Sequence, residues 1–431
     1  MSSFPRRPKG FVVIVSSAST SWKASDYQLS VNGEPFFVKG ACYSPVPWGG
    51  NPNWQPYGDF FAPPWNGIWE RDLPQMRTLN MNAIRTYNID AANGDHGDFL
   101  NACYNNGENP IYVLVGFGQL NNVGLYDPPN PAGFSAALQN FTQLVQAYGS
   151  HPAVLGFVIG NEVNNPATIA SDSFWQSINQ LCGVIHQNAP GKLAILACVD
   201  DAMKTIQVGE GNANLTSLDV WGVNSYRGNS SPQTANFDIL WSSFQAATAN
   251  SKRPLLLTEW GAPGSSHLPN VSGQDGGQLQ FDATTMATLV QYINGHYGDI
   301  AFNAGTTTSN GGNGNPNAAN WAPVGVGGCY FEWSDEWWKL DTYYQGNQCP
   351  ATVQQPGVSQ NAAFPGGWGD EESFGLNQVT PDASLCPPSQ RTTPPGGGCP
   401  GPWNFSTNQP YPPDVLTLRS SGQALGKLMA E

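Results

Sequence analysis

Eight apolar runs, each short enough to be a strand, recur along the chain. They are Phe36–Ala41, Met81–Tyr87, Ile111–Phe117, Val154–Ile159, Leu193–Val199, Leu218–Val223, Leu255–Thr258 and Val324–Phe331. Most carry too little polarity for one face to meet water, as expected of parallel strands buried on both faces. Between them lie stretches with apolar residues at helical spacing. In Phe134–Tyr148 these are positions 134, 137, 138, 141, 144, 145 and 148. Further helices are expected over Glu70–Leu79, Phe99–Tyr104, Phe174–His186, Phe237–Ala249, Met286–Tyr297 and Asp414–Met429. Strands alternating with helices predict an α/β fold, and eight of them favour a single closed (β/α)8 TIM barrel.

The pattern departs from a bare barrel in three places. Tyr27–Val31 and Glu34–Val38 flank Asn32-Gly33, which predicts an N-terminal hairpin. After strand one comes a Pro/Gly-rich loop crowded with Tyr43, Trp48, Trp54, Tyr57, Phe60, Phe61, Trp65 and Trp69. It is either a set of stacking platforms or a loop with its own small core. After strand eight, residues 339–413 show little periodicity and read as a long loop insertion. Asn303–Asn320, rich in Gly and Asn, reads as a second such loop. Residues 1–25 read as a secretory signal or a disordered lead, and residues 26–431 as one catalytic domain.

Composition narrows the partners. Acidic residues outnumber basic ones 31 to 17, and charged residues are only 11% of the chain, so Asn, Gln, Ser, Thr and Gly must cover the surface. Nucleic acid and anionic membranes are poor partners for such a surface, and a neutral, hydroxyl-rich partner suits it. No apolar run is long enough to span a membrane. Eight cysteines permit disulfides, with Cys349, Cys386 and Cys399 in loop-like sequence and Cys182 and Cys198 placed as free core thiols. Asn140, Asn214, Asn229, Asn270 and Asn404 open glycosylation sequons. The cysteine and histidine spacings offer no zinc site, and no cofactor is expected. His186 reads as a solvated helix residue and His267 as a residue near the cleft.

The chemistry lies at two strand ends. Val154–Ile159 runs into Gly160-Asn161-Glu162, and Leu255–Thr258 runs into Glu259-Trp260-Gly261. A carboxylate at the C-terminal end of a barrel strand sits where such folds keep their active sites. Strands four and seven face each other across the mouth. Two carboxyl groups about 5–5.5 Å apart are what retaining cleavage of a glycosidic bond requires, one as acid/base and one as nucleophile. The bland reading is that each glutamate only caps the helix that follows, and Glu332, Asp335 and Glu336 stand as alternative carboxylates.

These features resemble the clan A glycoside hydrolases, the retaining (β/α)8 superfamily. The resemblance rests on His151–Glu162, on Phe36–Gly40 as strand one and on Glu259 after strand seven. Within the clan, Asn82–Tyr87 and Gly160–Asn164 resemble fungal-type β-1,3-glucanosyltransferases and β-glucanases. Glu332–Trp338 with Glu371–Gly375 is closer to the barrel of the β-galactosidase and β-glucuronidase family. The resemblance implies Glu162 as general acid/base and Glu259 as nucleophile. It implies Asn161 on the sugar 2-hydroxyl, Arg85 keeping the nucleophile charged, Tyr226 hydrogen-bonding Glu259, and Trp333 as the floor under the sugar. Trp260 and Tyr43 join the substrate-binding set. The acid's raised proton affinity would come from the negative Glu259 beside it.

The expected protein is thus a secreted or cell-wall retaining β-glycosidase, a monomer acting on neutral β-glucan, with possible transglycosylation. The alternatives are a β-mannan or β-galactoside hydrolase of the same clan, and a non-catalytic glycan-binding barrel.

Overall fold

The computed structural model describes residues 20–47, 52, 56–122, 131–199, 202–227, 237–267, 279–306, 323–336, 364–381 and 414–431. Eight parallel strands close into a barrel in chain order: Val38–Cys42, Ala83–Arg85, Tyr112–Gly116, Val154–Asn161, Leu193–Val199, Val220–Asn224, Leu255–Trp260 and Gly325–Tyr330. The eighth returns to the first, with Gly327 opposite Val38 and Tyr330 opposite Ala41. Val154–Ile159 and Leu193–Cys198 are buried throughout, which explains their unbroken apolar character. Helices such as Pro131–Tyr148, Asp172–Asn188 and Ala283–Asn303 form the outer layer. Among the described residues no helix is long and apolar enough to cross a membrane.

The hairpin is larger than its sequence suggests. Trp22–Ser25 pairs with Gln28–Val31, which pairs with Glu34–Pro35. Residues 22–25, inside the segment assigned to a signal or disordered lead, thus belong to this small sheet. The reason is Trp22, which is buried edge-on against Phe36 at 4.9 Å and Tyr112 at 4.7 Å. Tyr112 opens the third barrel strand, so the hairpin covers the N-terminal end of the barrel, away from the mouth. The signal-like residues 1–19 lie outside the described residues.

Two further elements differ from the sequence reading, and one of the two readings of the aromatic loop is favoured. Ala202–Gly211 is a helix that the sequence reading left unassigned. Asp414–Leu418, expected as the start of the last helix, is a strand paired with Asn377–Pro381, and the helix is Ser420–Ala430. Of the aromatic loop, Phe60, Phe61, Trp65 and Trp69 are buried and pack on one another and on Phe99, so these members form a small core. Trp48 and Trp54 lie outside the described residues, as do most of 303–320 and 339–413. Within the latter, 364–381 runs back along the barrel mouth. Cys42, Cys103, Cys182, Cys198 and Cys329 are buried free thiols, while Cys349, Cys386 and Cys399 fall outside the described residues.

Candidate active site

Both strand-end glutamates leave the barrel at an irregularity in the sheet. The ladder between strands four and five slips between Val158 and Asn161, and the one between strands six and seven slips between Leu257 and Glu259. Such bulges re-aim side chains at a barrel rim. Gly160 sits at φ +71°, where a Cβ would meet Val163 at 2.6 Å, so glycine is required there. Glu162 itself has φ +56°. A non-glycine residue in the left-handed region is uncommon, and such residues concentrate at functional sites.

The two carboxyl groups share one cleft of about 450 Å³ at the mouth, lined also by Tyr87, Asn161, Tyr226 and Phe331. Glu259 is clasped from three directions. Arg85 donates from Nη1 to its Oε1 at 2.7 Å, and the Tyr87 hydroxyl donates to the same oxygen at 2.7 Å. The Tyr226 hydroxyl donates to Oε2. Burial pushes both phenols well above their ordinary range, and the charge of Glu259 adds to the effect, so they remain donors. Arg85 is wholly buried, which opposes its charge; its neighbours, Tyr87 and Glu259 foremost, more than offset this. Its second nitrogen, Nη2, donates to Asn161 Oδ1.

Glu162 lies on the opposite side of a short polar chain. Asn224 Nδ2 donates to Glu162 Oε1 at 2.9 Å and to Asn161 Oδ1 at 3.0 Å. Asn224 Oδ1 accepts from Arg85 at 3.0 Å and from the Thr258 hydroxyl at 2.8 Å. Glu162 nevertheless has a raised proton affinity. Burial is the main cause, the charges of Glu259 and Glu371 add to it, and the Asn224 hydrogen bond and Arg85 oppose it. The direction matches the expectation, but desolvation leads and the neighbouring carboxylate is secondary.

The fold thus gathers Glu162, Glu259, Arg85, Asn161 and Tyr226 into one hydrogen-bonded site. It does not bring Trp333, Trp260 or Tyr43 to the cleft. Trp333 is fully buried because its backbone is pinned on both sides, N–H to Cys42 and C=O from Asn377. Phe331, two residues earlier, lines the cleft instead. Trp260 follows Glu259 on the strand, so alternation turns it outward, where it meets Tyr330 at 5.1 Å and stacks toward His296 on a surrounding helix. Tyr43 is buried, with its hydroxyl donating to Asp72 at 2.9 Å. Asp335 is occupied by Arg419. His267 pairs with Asp370 beside the cleft wall, and His186 pairs with Asp219.

The sequence alone assigns no role to Tyr87, Asn224 or Glu371, although Asn82–Tyr87 and Glu371–Gly375 carry part of the family resemblance. Tyr87 follows Arg85 by two residues, and Asn224 precedes Tyr226 by two, so each shares a face with a residue already singled out. That spacing was the available signal. Glu371 lies in a segment with no periodicity to place it.

A profile of the glucanosyltransferase family of glycoside hydrolases matches residues 13–269, more than half of the chain. The 1,3-beta-glucanosyltransferase gas5 of Schizosaccharomyces pombe is 27% identical over 256 residues, covering 57% of this chain and 47% of that protein. The 1,3-beta-glucanosyltransferase GAS5 of Saccharomyces cerevisiae is 29% identical over 153 residues, covering 35% and 28%. The chain thus spans about half or less of the length of these relatives. An apo structure of Saccharomyces cerevisiae Gas2p superposes with a TM-score of 0.52 at 17% identity, covering 96% of this chain and 65% of that one. A GH2 beta-galacturonidase from Eisenbergiella tayi, bound to galacturonate, gives 0.55 at 14%, covering 95% and 54%. At such identities the structural likeness establishes the shared barrel.

Proposed function

Because the chain belongs to the glucanosyltransferase family of glycoside hydrolases, we propose that it cleaves a neutral β-1,3-glucan with retention and passes the cleaved piece to a second sugar chain. The observation that carries this reading is the contrast between the two carboxyl groups. Glu259 is clasped by a guanidinium and two phenols, and Glu162 is a solvent-reachable carboxyl at the mouth of the same cleft whose proton affinity is raised by partial desolvation.

In the first step a Glu259 oxygen bonds to the anomeric carbon while the glycosidic C–O bond breaks. Glu162 gives its proton to the departing oxygen. The ester that forms removes the charge of Glu259, which lowers the proton affinity of Glu162 and suits it to act as base. In the second step an acceptor hydroxyl attacks the anomeric carbon, its proton passes to Glu162, and the bond to Glu259 breaks. Water and a sugar hydroxyl compete at this step, so hydrolysis and transfer share one intermediate. Phe331 and Phe374 supply apolar faces against which a sugar ring can pack.

Residues 26–431 act as one catalytic unit in this reading, with 364–381 forming part of the cleft wall. A secreted or cell-wall location and a monomeric state suit such a substrate. The test is product analysis with laminari-, cello- and manno-oligosaccharides, comparing wild type with Glu259→Ala. Longer laminari-products from wild type and none from the variant are expected. Free reducing sugar with no longer products would reduce the reading to a hydrolase. No cleavage of any series would overturn it.

A further inference from the structure

One wall of the cleft comes from outside the barrel. Glu371–Ser373 forms a single 3-10 turn in the segment that follows strand eight, and Glu371 lines the cleft with Glu162 and Glu259. Glu336 lines it too. Four carboxyl groups therefore face one space, and among its described lining residues there is no lysine, arginine or histidine. Arg85 lies beneath them, engaged with Glu259, Asn161 and Asn224.

The turn is stapled in place from the strand-seven side. Asp370, immediately before Glu371, accepts a hydrogen bond from the Ser265 hydroxyl at 2.6 Å and meets His267 Nε2 at 3.0 Å. His267 stacks on Trp368 with ring centroids 3.9 Å apart. The Gly264 N–H donates to the Ser373 carbonyl at 2.8 Å. Gly366 approaches so closely that a Cβ there would lie 1.8 Å from the Ser265 carbonyl oxygen. Glu371 is thus presented by a fixed backbone, and its charge reaches far enough to raise the proton affinity of Glu162.

We propose that Glu371 is a specificity-determining residue that rejects glycans carrying a carboxylate and confines the cleft to uncharged sugars. The inference rests on the glycosyl-transfer reading above. Like charges brought together in a partly desolvated cleft suppress the wrong partner, and salt screens the effect only where solvent penetrates. A uronate entering this cleft meets the carboxylate of Glu371, while Glu259 is already ion-paired with Arg85. A neutral glucose unit meets hydrogen-bond acceptors for its hydroxyls.

The experiment compares kcat/KM for a laminari-oligosaccharide with that for the same oligosaccharide oxidised at C6 of its terminal glucose to the uronic acid. It is run with wild type and with Glu371→Gln. Thermal melting of both proteins checks the fold, and Glu371→Asp serves as a second, charge-keeping variant. Wild type should favour the neutral sugar by about tenfold or more, as two unit charges several ångströms apart at an intermediate dielectric require. Glu371→Gln should bring the ratio to within a few-fold, and Glu371→Asp should keep most of it. A wild-type ratio near one, or a ratio unmoved by Glu371→Gln, overturns the inference while leaving the glycosyl-transfer reading intact. If the neutral oligosaccharide is not turned over at all, that reading fails and this inference falls with it.

Discussion

Arg85 and Glu259 form a buried pair, their side chains 1% and 6% exposed. Breaking such a pair by removing one partner is costly, whereas removing a third contact tests the site without dismantling it. Tyr87→Phe deletes one donor to Glu259 and leaves Arg85 and Tyr226 in place. A hydrogen bond to a charged acceptor is worth roughly 1.5–3 kcal/mol, so kcat/KM should fall roughly tenfold to a hundredfold. The wild-type melting temperature should be nearly retained. A Tyr87→Phe enzyme with full activity would remove Tyr87 from the site. The pH profile tests Glu162 separately. Its proton is needed for the first step, so activity falls on the alkaline side as that proton is lost. The charge of Glu371 raises the proton affinity of Glu162, so Glu371→Gln should move the alkaline limb to lower pH. The Asn224 hydrogen bond lowers it, so Asn224→Ala should move the limb to higher pH. The opposite pair of shifts in a kcat/KM profile would mean that another group sets that limb.

At the level of elements, legibility followed burial. Strands four, five and seven are apolar on both faces, and their order, with the glutamates ending strands four and seven, is readable without a partner in view. Ala202–Gly211 was missed because it buries only Ala202, Thr205, Ile206 and Gly209, too few apolar positions to mark a period. Asp414–Leu418 was misread because its state is decided by pairing with Asn377–Pro381, a segment that itself carries no pattern. Trp260 and Trp333 were placed in the cleft because an aromatic near a strand end looks like a sugar platform. Alternation and a pinned backbone turn them away. The helix expected over Met286–Tyr297 is longer at both ends, running over Ala283–Asn303. Asp282 caps Ala283–Asn303, accepting from the Thr284 and Thr285 N–H groups at 2.8 and 2.9 Å. With the Ser266 and Thr285 hydroxyls, these contacts hold its carboxyl down at about 2. Asp282→Ala should cost about 1 kcal/mol in urea unfolding at neutral pH. The folded value lies below the unfolded one of about 3.9, so the contribution is present above that pH and is lost as pH falls toward about 2. The gap between variant and wild type should close over that range, and a gap that stays constant would mean a loss unrelated to the charge.

Across the whole molecule, the C-terminal chain returns to brace the cleft wall. Asp414–Leu418 is fixed at one end by Arg71 on Asp414 at 2.5 Å. Just beyond its other end, Arg419 grips Asp335, with Nη1 to Oδ1 at 2.6 Å and Nη2 to Oδ2 at 2.7 Å. Asp335 follows strand eight, one residue before the cleft carboxyl Glu336, and also accepts from the Gly375 N–H. Arg419 is therefore about 160 residues beyond Glu259 in sequence yet one contact from the wall that carries Glu371. Nothing in its local sequence announced this, since the pair is formed only when the last helix docks. The pair is buried, and desolvation pushes Asp335 upward while Arg419 opposes it. Arg419→Ala leaves a buried carboxylate without its partner and should cost about 3–5 kcal/mol in urea unfolding at neutral pH. The double variant Arg419→Met with Asp335→Leu removes both charges and should cost less, because no ion is then stranded. In the single variant the folded Asp335 gains proton affinity relative to the unfolded chain. Its penalty is then largest above that raised value and shrinks as pH falls through it. If Arg419→Ala and the double variant lose the same stability, independent of pH, the brace acts through packing of the arginine stem alone, and the buried ion pair has no part in holding the wall.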